Sequence, residues 1–167
     1  PLEGTILYKK FNNVGNPVTQ DIQLINSRRV RQTAIAVDDQ NNVHIAYYMN
    51  DAPRTFQYQK LDNNGQPLTA IDVTSNVDFV LSRTPRTIAI TTDSAGNGYV
   101  ARFAYEPSSP YNRLIIYQKY NSDGRRAFEP RTVVSLPSSV NLDSINIAID
   151  QENNIHLVGL GSILAMI

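Results

Sequence analysis

The sequence predicts an all-β chain assembled from four-stranded antiparallel units, and three observations lead there. A phrase YxKxxxxG occurs three times, beginning at Tyr8, Tyr58 and Tyr117 and carrying Lys10, Lys60, Lys119 and Gly15, Gly65, Gly124 in register. A second phrase interleaves with it: IAVDDQNNVHIAYY from Ile35, ITTDSAGNGYVARF from Ile90 and IAIDQENNIHLVG from Ile147. The composition is the third. Frequent Asn, Thr, Ser and Tyr without Trp or Cys suit short strands joined by polar turns.

Each copy of the second phrase reads as an apolar strand, a polar turn and an alternating strand, which is a hairpin by the period-two criterion. Its columns are Asp38, Asp93, Asp150, then Asn42, Asn97, Asn154, then His44, Tyr99, His156. The aspartate accepts hydrogen bonds from turn amides, and Asn or Gly at the tip tolerates a left-handed backbone. The YxKxxxxG phrase is the other hairpin: a strand ending in the lysine, a turn in which Gly15, Gly65 or Gly124 takes positive φ, then a strand such as PLTAIDVTS or EPRTVVS. Two hairpins make a four-stranded unit that recurs every 50 to 59 residues, the repeat length of a propeller blade.

The order of the hairpins predicts three blade equivalents in one domain: a half-blade over 5–25, blades over 33–75 and 87–135, a half-blade over 145–159 and an apolar tail over 160–167. The two half-blades are complementary, and pairing them removes free sheet edges. Propellers run from about four to eight blades. Three equivalents therefore predict a homodimer closing a six-bladed ring, or a piece of a longer propeller. The apolar tail reads as a final strand at an interface, with an interaction tail as the alternative.

The pattern IAxDxxNNxHIxY followed by YxKLDxxGxP resembles the blade repeats of bacterial and archaeal secreted or surface β-propellers, loosely grouped with sialidase-like propellers that carry Asp-box repeats. The resemblance implies a secreted or cell-surface location. It does not extend to sialidase activity, because that Asp-box, S/T-x-D-x-G-x-x-W, ends in tryptophan and this chain has none.

Composition narrows the chemistry. Fifteen basic and fifteen acidic residues leave no net field for nucleic acid, and no apolar run approaches the roughly 20 residues of a membrane-spanning helix. Without cysteine and with two histidines, neither thiolate catalysis nor a cysteine- or histidine-rich metal site is available. No cofactor motif is present. Capping is the expected work of the aspartate column, and a structural role that of His44, Tyr99 and His156. Solvated outer strands are the expected place of Lys10, Lys60 and Lys119. Glu106 and Asp51 share a rim without forming an expected catalytic pair.

Binding residues are expected on the connections that differ between copies, held by the rigid scaffold. Arg28 aligns with Arg83 and Arg31 with Arg86, and convergent guanidiniums bind carboxylate or phosphate in bidentate fashion. Arg54, Arg113 and the stacking rings Tyr48, Tyr105 and Tyr111 complete the candidates, with bridging between blades as the alternative for the arginines. The expected function is non-catalytic recognition of glycan or protein. A structural or assembly protein is the alternative, and a fragment of a propeller glycosidase the third.

Overall fold

A computed structural model describes residues 5–27, 29–50, 55–75, 87–106 and 112–163. Twelve strands and no helix occur among them. Strands β1 (Thr5–Tyr8) and β2 (Ile22–Asn26) form an N-terminal hairpin. The first four-stranded sheet follows in the order β3 (Val30–Val37), β4 (Val43–Met49), β5 (Thr55–Leu61) and β6 (Asp72–Ser75). The second consists of β7 (Ile88–Thr92), β8 (Gly98–Tyr105), β9 (Arg113–Tyr120) and β10 (Arg131–Leu136), and a C-terminal hairpin of β11 (Val140–Ile149) and β12 (Ile155–Ile163) ends the chain. Every pairing is antiparallel between sequence neighbours.

The expected four-stranded antiparallel sheets are present, and two strands start before the expected bounds. β3 begins at Val30 rather than at residue 33, and β11 at Val140 rather than at 145. The apolar tail is in part strand: β12 runs to Ile163 because β11 extends back far enough to pair with it, Val140 opposite Ile163. Residues 164–167 lie outside the described residues.

The repeated turns have the local chemistry that the spacing implies. Asp38 Oδ1 accepts the amides of Gln40 and Asn42 at 3.0 and 2.8 Å, and Asn41 takes φ of 64°. Gly96 and Asn153 occupy the same left-handed position in the other two copies, one residue before the Asn column. Gly15, Gly65 and Gly124 all adopt positive φ, between 77° and 87°.

Three apolar cores lie between consecutive sheets, and a smaller cluster of Ala104, Leu114 and Ile116 lies on the second sheet. Ile6 and Tyr8 pack on Val43, Ile45 and Tyr47 of β4. Ala46, Phe56 and Tyr58 meet Val100 and Tyr120 of the second sheet, where the Tyr58 and Tyr120 rings stack at 3.6 Å. Ala101, Phe103 and Ile115 close on Leu142 and Ile145. A central strand such as β4 is thus covered on both faces and buried throughout. That explains why VHIAYYM lacks simple alternation of polar and apolar residues.

The glycines of the outer turns report this stacking. A Cβ at Gly65 would lie 2.6 Å from Ile22 and 2.8 Å from Tyr8 of the preceding hairpin, whereas one at Gly15 meets nothing within 4 Å. Gly15→Ala is expected to cost about 1–2 kcal/mol from the left-handed backbone alone. Gly65→Ala adds overpacking of roughly 1–3 kcal/mol. Denaturant midpoints of the two variants check the difference; equal losses would mean that the hairpin does not pack on the first sheet.

Candidate functional site

The meander puts the turns of β1–β2, β3–β4, β5–β6, β7–β8, β9–β10 and β11–β12 at one end of the sheets and the remaining connections at the other. The two ends differ in chemistry. At the first end the repeated polar residues of the first sheet saturate one another. Asp38 Oδ2 accepts from Asn42 Nδ2 at 3.1 Å, His44 Nε2 at 3.1 Å and Lys60 Nζ at 2.8 Å, and His44 Nδ1 lies 2.6 Å from the Tyr58 hydroxyl. Burial alone would raise the Asp38 pKa, but bonds from Lys60, His44 and Asn42 outweigh it and hold the carboxyl far below the usual carboxylate range. Burial is also the main reason that the His44 pKa is lowered. The neutral ring donates from Nε2 to Asp38 and accepts the Tyr58 hydroxyl proton at Nδ1.

Lys60 does more than neutralise Asp38. Its ammonium also donates to the carbonyls of Gly96 at 3.1 Å and Ser122 at 2.9 Å, both in turns of the second sheet. The expectation of a solvated outer lysine is therefore corrected: Lys60 is 3% exposed. An ammonium with three donors can serve one carboxylate and two carbonyls at once, which makes burial tolerable. Lys10 repeats the onward half of this clasp by donating to Asn63 Oδ1, at the column position of Ser122. Lys119 is half-buried and lies 5.1 Å from the centre of the Tyr99 ring.

The second and third copies vary the theme. Tyr99 donates its hydroxyl to Asp93 Oδ2 at 2.6 Å where the first copy uses histidine. His156 Nε2 lies 3.1 Å from Asp150 Oδ2, and bonds from Asn154 and His156 lower the exposed Asp150 carboxyl to about 2. A further tie joins the two four-stranded sheets: Arg126 grips both carboxylate oxygens of Asp72 at 3.1 Å, and the Tyr120 hydroxyl donates to the same group.

The other end holds the candidate binding residues. Arg31 is not in a loop but at a β-bulge in β3, between the pairs Val30–Met49 and Gln32–Tyr48, and its side chain is exposed. Bulges re-aim side chains and recur beside binding sites. Tyr48 lies within β4 at 2% exposure, so it packs between sheets and has no ring face free for a sugar. Tyr105 and Arg113 are cross-strand partners, both half-buried, and Arg113 donates to the Val140 carbonyl of β11. Arg113 thus bridges neighbouring units. Arg28, Arg54, Arg83, Arg86, Tyr111 and Asp51 lie outside the described residues. Glu106 accepts from Asn112 Nδ2 at 2.8 Å.

Two features escaped the sequence reading. Arg102 is buried with its guanidinium 4.9 Å from the Phe56 ring and without a hydrogen-bond partner, and burial lowers its pKa to about 10. Its neighbours in the repeat column gave no signal, because Tyr47 occupies that place in the first sheet. The third position of the Arg31 and Arg86 column is Asp143, which also sits at a bulge. That alignment was available from spacing alone. Among the described residues no group of three His, Asp or Glu side chains is arranged to hold a metal.

Lys60→Met leaves the Asp38 carboxylate buried beside an apolar tip, and a loss of about 3–5 kcal/mol in unfolding free energy is expected. Chemical denaturation checks it, and a loss below about 1 kcal/mol would contradict the clasp. Acid should act through His44 before it reaches any carboxylate. Because its folded pKa is depressed, stability is complete above the unfolded histidine value of about 6.5 and declines as pH falls through the window below it. A thermal-stability profile between pH 7 and 5 should slope downward for the native chain and flatten in His44→Gln. No known family model matches the chain, and a search of curated proteins finds no match.

Proposed function

We propose that the chain is a segment of a β-propeller, its sheets and hairpins serving as blades, and that it works as a non-catalytic recognition module binding glycan or protein. The observation that supports this reading is the division of labour between the two ends of the sheets. At the first end, Asp38, His44 and Lys60 spend their polar groups on one another and on the next sheet, and Asp93 and Asp150 engage Tyr99 and His156. At the second end, Arg31 stands exposed on a bulge beside connections that differ from copy to copy. A rigid scaffold with variable loops at one rim is a common arrangement for binding surfaces.

A guanidinium in that setting recognises carboxylate or phosphate groups, such as those of acidic sugars or acidic side chains. Repeated weak contacts on one rim act together through avidity, which grows when two copies present the same rim. The reading carries a secreted or cell-surface location with it, and a homodimeric ring as its assembled form. The assembly alternative is favoured by a separate observation, the open strand edges of β1 and β12.

The test is an array of neutral and acidic glycans and acidic peptides probed with the labelled chain. A preference for acidic ligands is expected, and Arg31→Ala with Arg86→Ala should weaken it by about tenfold or more. Absence of binding to any ligand class, or binding unchanged in the double variant, would refute the rim as the recognition surface.

A further inference from the structure

We infer that the open edges of the two terminal hairpins dock on each other between two copies of this chain, β12 of one copy against β1 of the other, in a register dictated by the internal repeat. The inference rests on the propeller reading above. Among the described residues β1 pairs only with β2 and β12 only with β11. Both β1 and β12 therefore leave one row of backbone N–H and C=O groups without a strand partner.

The complete sheets show what fills such an edge. β4 and β5 set His44 opposite Lys60 and Tyr47 opposite Gln57, while β8 and β9 set Tyr99 opposite Lys119 and Arg102 opposite Ile116, with no bulge in either ladder. Carried along the repeat columns, this pairing puts His156 opposite the second copy's Lys10 and Gly159 opposite its Leu7.

Exposed apolar side chains agree with that register. Val158 and Leu160 are 65% and 64% exposed, yet their column mates Ala46 and Tyr48 are 0% and 2% exposed. Phe11 is 55% exposed while its counterparts Leu61 and Tyr120 are fully buried. Ile35 is exposed on β3, and its counterpart Ile90 packs into the core shared with the preceding sheet. The open space at Gly15 belongs to the same pattern, since Gly65 and Gly124 at that position abut the preceding unit.

The polar groups are split in the same way. Asp150 holds His156 as Asp38 holds His44, but among the described residues no lysine reaches it. Lys10 has made its onward contact to Asn63, but no described carboxylate reaches it. Each hairpin carries the half of the clasp that the other lacks, with opposite charges. The complementary half within the same chain is out of position, because β1 and β2 pack on the first four-stranded sheet and β11 packs on the second. Two copies supply six units, within the range of about four to eight at which propellers close. Two identical contacts about a two-fold axis then complete both pairs of hairpins into four-stranded sheets.

The chain has no cysteine, so a disulfide reads the register directly. Leu7→Cys with Gly159→Cys puts thiols on facing positions; Leu7 is exposed, and a Cβ at Gly159 makes ordinary contacts only. Mild oxidation of the native-state double variant is expected to yield a covalent dimer on a non-reducing gel. The one-residue offset pair, Leu7→Cys with Val158→Cys, should yield little. Light scattering of the unaltered chain should give twice its 18.7 kDa mass. A folded monomer without linkage, or a disulfide within one chain, would overturn the docking, and a ladder of larger species would overturn closure by two copies. If linkage fails while ligands still bind the rim in the array, the docking falls and the recognition reading stands.

Discussion

One ammonium ion ties local turn geometry to the stacking of sheets. Lys60 reaches from the turn carboxylate of its own sheet to two carbonyls in the next. The same Asp38 carboxylate shapes its turn by accepting two backbone amides, so the turn and the neighbour's position are held by the same carboxylate. A buried ion pair gains little net energy after desolvation. Its effect is geometric: an offset between sheets would leave the Gly96 and Ser122 carbonyls, and two of the three donors of a buried ammonium, without partners. Apolar contacts supply the bulk of the cohesion, and the clasp selects which of many packings they adopt.

Because the cores lie between sheets, each sheet needs a neighbour on both faces. The first sheet has one on each side, and its central strand is buried throughout. Among the described residues the terminal hairpins pack on a neighbour on one side only, and Leu7, Phe11, Val158 and Leu160 are exposed there. Nearest-neighbour stacking of this kind distributes stability over interfaces, as in other repeat architectures. The Tyr58–Tyr120 stack belongs to one such interface, where aromatic pairing contributes about 0.5–1.5 kcal/mol beyond burial.

The repeat also separates positions that keep one chemistry from positions that change it. Positions shared by the copies are engaged in turns and clasps, whereas the Arg31 column changes to Asp143 in the third copy. A change of charge at a bulge, on an otherwise repeated framework, means that this end of the sheets is not chemically equivalent from copy to copy. Arg102 stands apart as a buried guanidinium over a phenyl ring, an arrangement in which cation–π attraction partly offsets desolvation.

Hairpins, turn positions and strand order were legible in the sequence because they depend on local chemistry repeated three times: an aspartate that caps a turn, a residue that accepts positive φ and strands of alternating character. Burial of Tyr48 and Lys60 was not legible. A tyrosine or lysine in a strand has the same local preferences whether its face meets solvent or another sheet, and only the approach of the neighbouring sheet distinguishes the two. The bulge at Arg31 is likewise a product of pairing between β3 and β4, not of either strand alone. By itself the sequence determined the repeating unit and its backbone, since those follow from contacts between residues close along the chain. The tertiary structure decided which polar groups were consumed and which edges stayed open, since both depend on groups brought together from separate units.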